Sequence, residues 1–146
     1  MTTIAYRSGT LAADSQIAYS NYLNGQRPKI TQCGRFHVAL AGKAWLRRPL
    51  EEWLAAGADE ANVPVELMEN QAEFSCLIVD DDGVMLTFDR GYLLPVDAPY
   101  AAIGSGMFFA MGAMAHGASA EEAVAAAMAH DKNTGGPITV VRFPLH

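Results

Sequence analysis

The residues with the most direct chemical potential stand at the start of the chain, Met1-Thr2-Thr3-Ile4. Removal of Met1 would leave Thr2 with a hydroxyl and a free α-amine, a nucleophile and a proton acceptor on one residue. A threonine hydroxyl is a poor nucleophile until a base takes its proton. An α-amine, with a reference pKa of about 8, lies far closer to neutrality than a lysine at about 10.4. A buried cation beside that amine would lower its pKa further, each unit being about 1.4 kcal/mol. Threonine is small enough that loss of the preceding methionine to methionine aminopeptidase is expected. Most threonines after an initiator methionine are inert, so Thr2 counts only if the chain also supplies a held lysine and a carboxylate to orient it.

Other reactive residue types offer less. Cys33 and Cys76 lack a CxxC pair or a histidine at ligand spacing, so they read as buried thiols rather than a zinc site or disulfide. His37 lies in an apolar run with no second histidine at metal spacing and reads as a packing residue. Asp80-Asp81-Asp82-Gly83 lacks the oxygen-ligand spacing of a calcium loop and reads as a turn. Gly104-Ser105-Gly106 is too short for a phosphate loop and has no accompanying lysine. Met107, Met111 and Met114 share a helical face expected to be core, and Trp45 and Trp53 are expected to pack. No metal or cofactor is expected.

At 146 residues the chain is expected to form one domain over 1–146, burying roughly two-thirds of its unfolded surface. Charged residues make up 18% and apolar residues 51%. That is less charge than the usual quarter, and the spare apolar surface suggests self-association. The net charge of −6, with no basic block beyond Arg47-Arg48, argues against nucleic acid or an anionic membrane as partner. No basic stretch followed by an apolar core opens the chain, and no apolar run approaches the eighteen or so residues of a membrane span. A cytoplasmic protein is the expectation.

The elements that must position Thr2 follow in order. Residues 2–6 alternate in a β-favouring pattern, Ser8-Gly9 supplies a turn, and 10–13 resume an apolar strand. Such a hairpin would carry Asp14 back toward Thr2. Residues 17–22 precede Asn24-Gly25, a strong turn dipeptide, and a second hairpin spans 29–41 with its turn at Gly34. Lys29 stands at its first strand, where most lysines would be solvated. Residues 46–56 have helical spacing with Pro49 in the first turn and Gly57 as the stop, and a short helix is expected from Val65. Residues 73–79 and 84–88 read as strands, 92–100 as irregular and Pro-punctuated. Residues 107–116 and 120–130 form an αα-hairpin, with Gly117 ending the first helix and Ser119 capping the second. Residues 138–141 make a last strand.

In this order the chain resembles a proteasome β subunit and the related bacterial peptidase HslV. Thr2-Thr3-Ile4 looks like the family's mature N-terminus, Asp14 like its carboxylate after the second strand, and Lys29-Ile30 like its buried lysine. Ala41-Gly42 resembles the Ala-Gly whose glycine N–H lines an oxyanion hole. Ile103-Gly104-Ser105-Gly106 resembles its Gly-Ser-Gly, and Asp131 with Thr134-Gly135-Gly136 is similar to its Asp-x-x-Ser-Gly-Gly, with threonine in place of serine. Six matches in order carry more weight than any one, although 45–71 match poorly.

The resemblance implies an α+β, N-terminal-nucleophile (Ntn) hydrolase fold: a four-layer αββα sandwich of two antiparallel sheets. Its first helical layer would be reduced, the deficit falling within 52–70. It implies a threonine endopeptidase working through an acyl-enzyme on Thr2. Lys29, held by Asp14, would depress the amine pKa, and the proton from the hydroxyl would pass to that amine or toward Lys29. Gly42 would stabilise the oxyanion, and Ser105, Asp131 and Thr134 would position the amine and a bridging water. Arg27, Thr31 and Leu40 would line the first specificity pocket. The implied partners are further copies of the chain in a ring, unfolded polypeptide substrates and an AAA+ unfoldase. Two other classes compete: an Ntn amidase acting on a small amide, and a catalytically silent ring or scaffold protein.

Overall fold

The computed structural model describes residues 2–19 and 23–144. Its first sheet has the order β10-β1-β2-β11, built from β1 (Thr3–Arg7), β2 (Thr10–Ala13), β10 (Tyr100–Gly104) and β11 (Thr139–Arg142). The second is a meander of β5 (Ile30–Cys33), β6 (Phe36–Gly42), β7 (Phe74–Asp80), β8 (Met85–Asp89) and β9 (Tyr92–Pro95). Neighbouring strands in both pair antiparallel. A separate two-stranded ribbon joins β3 (Gln16–Tyr19) to β4 (Leu23–Gln26).

The period-2 alternation of the strands decides the layers. Ile4, Tyr6, Leu11 and Ala13 of the first sheet meet Ala39, Ala41, Leu77 and Val79 of the second in a central core. The opposite face of β1 and β2 presents Ala5 and Ala12 to α3 (Met107–Ala115) and α4 (Ala120–His130), which contribute Ala110, Met114, Ala120, Ala123 and Val124. On the far side of the second sheet Phe36, Val38, Leu40, Cys76 and Ile78 pack against α1 (Arg47–Ala55) and α2 (Val65–Glu69) through Leu50, Trp53, Leu54 and Leu67. The result is the expected αββα sandwich. Its first helical layer is short, with nine residues in α1 and five in α2.

Local chemistry explains the helix boundaries. Pro49 sits in the first turn of α1, where its missing N–H costs nothing, and Arg47–Glu51 and Arg48–Glu52 form i,i+4 ion pairs. Ahead of α4 the Ser119 hydroxyl accepts from the Glu122 N–H while the Glu122 carboxylate accepts from the Ser119 N–H, a complete capping box. The Asp80 carboxylate accepts the N–H groups of Asp82 and Val84, closing the expected turn between β7 and β8. Both cysteines are buried, and burial pushes the Cys33 thiol up to about 11 and that of Cys76 to about 12.

Four expectations need correction. Asn24-Gly25 is not a turn: it lies within β4, paired to Ala18 and Ile17, and the last three residues of the 17–22 run lie outside the described residues. Residues 92–100 are not irregular throughout, because Tyr92–Pro95 adds β9 to the second sheet. Pro95 is tolerated there since β9 is an edge strand with only β8 beside it. Met111 is 37% exposed and lies outside the core that holds Met114, as do Phe108 and Phe109. Trp45 does not pack. It is 57% exposed, whereas Trp53 is buried with its indole N–H donated to the Asp59 carbonyl at 2.9 Å.

The capping box is local to the first turn of α4. Ser119→Ala should therefore lower stability by about 1 kcal/mol. The check is a urea titration, in which the midpoint falls while the slope is unchanged.

Candidate active site

The site is assembled from the ends of strands. Ser8 and Gly9 both adopt positive φ, 49° and 74°, the geometry of a tight two-residue hairpin turn whose twist suits the flanking strands. That turn registers Ile4 opposite Ala13 and returns the chain so that the Asp14 N–H meets the Thr3 carbonyl at 3.2 Å. The Asp14 carboxylate, with no exposed surface, then accepts the Thr3 N–H at 3.0 Å, the Lys29 ammonium at 2.9 Å and the Gly135 N–H at 3.1 Å. Lys29 is itself 5% exposed, not a solvated surface lysine. Burial pulls its pKa below the usual value, and the hydrogen bond and charge of Asp14 work against that shift.

Thr2 precedes β1 directly and is 7% exposed. Gly104 stands opposite Thr3 with φ of 100°, and a Cβ there would overlap the Thr2 carbonyl, so only glycine permits this approach of β10. Next to it, the Ser105 hydroxyl lies 2.6 Å from an Asp131 carboxylate oxygen and 3.4 Å from the Thr2 carbonyl. One proton cannot serve both well, and the short bond to Asp131 is the stronger. The same Asp131 oxygen accepts the Thr134 hydroxyl at 2.7 Å, and its neighbour accepts the Asn133 N–H at 3.1 Å. Thr134 and Thr3 hydroxyls are 2.7 Å apart. With Thr134 donating to Asp131, the direction is set: Thr3 donates to Thr134. Desolvation pushes the Asp131 pKa up, but the bonds from Ser105, Thr134 and Asn133 outweigh it and hold the carboxyl below its ordinary value.

Two cavities flank Thr2 and share it with Gly42 and Lys43. One, of about 620 Å³, is lined also by Ser105, Glu73, Phe74 and Met107. The other, of about 370 Å³, is lined also by Arg27, Lys29, Leu40 and Trp45. Gly42 ends β6 with φ of 116°, and a Cβ there would run into the Glu73 carbonyl and the Phe74 backbone. Among the described residues, no three His, Cys, Asp or Glu side chains gather where they could hold a metal ion.

Solved structures resemble this arrangement over nearly the whole chain. Thiobacillus denitrificans BPH superposes with a TM-score of 0.72 and 19% identity, covering 99% of this chain and 98% of that one. The same protein in complex with epoxomicin gives 0.71 at 19% identity over the same shares. Eukaryotic HslV from Trypanosoma brucei gives 0.67 and 18%, covering 99% of both chains. The chain has the proteasome β/HslV-type Ntn-hydrolase fold. No protein-family model and no curated protein matches its sequence. At these identities the likeness is one of fold, and the chemistry rests on this chain's own side chains.

Thr2, Asp14, Lys29, Gly42, Ser105, Asp131 and Thr134 therefore come together, as do Arg27 and Leu40 at the smaller cavity. Thr31 does not reach it. Its hydroxyl takes a hydrogen bond from the Arg47 guanidinium and faces an outer groove with Arg48 and Glu51. Missing from the sequence reading are Thr3, fully buried in the hydroxyl chain, and Lys43 and Trp45 at the cavity rim. Alternation along β1 could have revealed Thr3, since it must point to the face opposite Thr2. Nothing in the sequence marks Lys43 or Trp45.

Removing one member of a buried ion pair strands the other's charge. Asp14→Ala should destabilise the protein by about 3–5 kcal/mol, and adding Lys29→Met should recover part of that loss. Urea unfolding of the single and double variants measures both, and a double variant no more stable than Asp14→Ala would refute the account.

Proposed function

We propose that this chain is a threonine peptidase whose nucleophile is Thr2 after removal of Met1. The observation that supports it most is the convergence on one residue: Thr2 lies between two cavities, beside the buried Lys29–Asp14 pair on one side and Ser105–Asp131 on the other. No other described residue combines a nucleophilic group with such surroundings.

In this mechanism the Thr2 Oγ attacks a peptide carbonyl and passes its proton to the Thr2 α-amine. The amine is preferred to Lys29 as base, because its reference pKa of about 8 lies closer to neutrality and the Lys29 ammonium is already engaged by the Asp14 carboxylate at 2.9 Å. Lys29 then acts through its field, favouring the neutral amine and the ionising hydroxyl. The Gly42 N–H stabilises the tetrahedral oxyanion, a contribution of about 3 kcal/mol in comparable sites. Collapse breaks the C–N bond, the leaving nitrogen takes the proton from the amine, and an ester remains on Thr2. Water, deprotonated by the same amine, attacks that ester and releases the acid with the Thr2 hydroxyl restored. Ser105, Asp131 and Thr134 orient the amine.

We further propose that the chain works as a homo-oligomeric ring in the cytoplasm, on unfolded polypeptides delivered by an AAA+ unfoldase. The exposed Phe108, Phe109 and Met111 on α3 support self-association. Among the described residues no helix is long and apolar enough to cross a membrane.

Epoxomicin, the molecule bound to the Thiobacillus protein, is a peptide epoxyketone, a warhead that needs both the hydroxyl and the free amine of a terminal threonine. Intact mass of the protein purified from cells should show loss of Met1, and incubation with epoxomicin should add one inhibitor mass per chain. Thr2→Ala should abolish the adduct, and Lys29→Ala should slow its formation by at least about a hundredfold. A chain that keeps Met1 and takes no adduct would overturn the peptidase reading.

A further inference from the structure

The charge of the two cavities beside Thr2 differs in a way that bears on substrate choice. The chain holds 10 lysines and arginines against 16 acids, a net charge of −6. Yet Arg27, Lys29, Lys43 and Arg47 all line the smaller cavity, and neither Asp nor Glu lines it. Four of the chain's ten cations therefore face one space of about 370 Å³.

These cations are not equivalent. Lys29 is committed to Asp14, and Arg47 to Glu51, the Pro28 carbonyl and the Thr31 hydroxyl. Arg27 and Lys43 are exposed, and among the described residues neither side chain has a hydrogen bond or ion pair. Both charges line the same cavity, so an anion entering it would be attracted by both. The same cavity is lined by Leu40, 9% exposed, and Trp45, 57% exposed, so it pairs apolar wall with unspent positive charge. An alkyl stem ending in a carboxylate matches that combination. The larger cavity is lined by Lys43 and by the acid Glu73, and otherwise by neutral residues such as Phe74 and Met107.

We propose that the smaller cavity selects an aspartate or glutamate side chain on the acyl side of the cleaved bond, with Arg27 and Lys43 as the specificity-determining residues. The inference rests on the peptidase reading. The side follows from its proton path: the leaving nitrogen takes its proton from the Thr2 amine, which is oriented by Ser105 on the wall of the larger cavity and by Asp131 behind it. The acyl residue is thereby directed into the cavity lined by Lys29. Trp45 closes the outer wall against the stem of the bound side chain, reducing the water that would screen the charges.

The test uses Met1-processed protein and N-capped tripeptides bearing a fluorogenic amine, identical except for Glu, Leu or Lys at the acyl-side residue. The Glu peptide should show a kcat/KM at least about tenfold above the other two, which is about 1.4 kcal/mol. That margin should shrink in 0.5 M salt, where exposed charges are screened. The double variant Arg27→Glu with Lys43→Glu should invert the order in favour of Lys. Epoxomicin labelling runs in parallel to separate the two claims. Normal labelling with Leu cleaved as fast as Glu, or an order the double variant does not change, would overturn the acidic preference and leave the peptidase reading standing. Absence of labelling and of all three cleavages would overturn both.

Discussion

The buried Asp14 carboxylate is the constraint on which the rest of the site depends. A charge with no exposed surface is tolerable only where donors replace the water it has lost. Here the replacements come from three separate parts of the chain: the Thr3 N–H at the start of β1, the Lys29 ammonium ahead of β5, and the Gly135 N–H ahead of β11. None of these donors can withdraw without leaving the carboxylate undercompensated. One side chain thus ties together the N-terminal strand, the second sheet and the loop after α4. The lysine is held by the same requirement, since its own desolvation cost is offset chiefly by that carboxylate.

The second carboxylate works by the opposite means. Asp131 is only half-buried and is surrounded by hydroxyls and an amide rather than a cation. Its anionic form is favoured by donated hydrogen bonds, and it fixes the direction of a chain of hydroxyl protons through Thr134 to Thr3. Thr2 therefore lies between a buried cation held by its anionic partner and an anion stabilised by hydroxyls. On an amine at this position the two act in opposite directions: the Lys29 cation would disfavour a second positive charge, while the Asp131 carboxylate would favour it and, with Ser105, offer acceptors that align the amine.

Much of this was legible in the sequence where a local rule applies. The capping box, the two glycine-ended helices, the β1–β2 turn and the Asp80 turn depend on near neighbours, and each lies where those residues place it. Asp14 and Lys29 could be paired only through the family resemblance, because their contact depends on how two sheets stack. The misplacements have the same origin. Asn24-Gly25 favours a turn locally, but the pairing of Gln16 with Gln26 fixes the ribbon register and draws the dipeptide into a strand. Thr31 sits on the strand after Lys29, and Arg47 of the helical layer captures its hydroxyl. Trp45 is large and apolar, yet it sits in the single helical turn Ala44–Leu46 that follows the end of β6, and that turn leaves it on the smaller cavity.

The register of β1 is as much a part of the site as its side chains. Successive residues in a strand face opposite ways, so Thr2 and Thr3, chemically identical, have different fates: one faces the cavities, the other is buried against Thr134. A slip of one residue would exchange them and would also turn Ile4 and Tyr6 out of the central core. Pairing on both edges resists that slip, with β2 set by the Ser8-Gly9 turn and β10 set by the close approach of Gly104 to the Thr2 carbonyl. The hydrophobic pattern of β1, two apolar residues inward and Ala5 outward against the helices, agrees with the same register. The position of the proposed nucleophile is thus specified by packing several residues away, and burial of Ile4 and Tyr6 supplies the free energy that holds Thr2 in place.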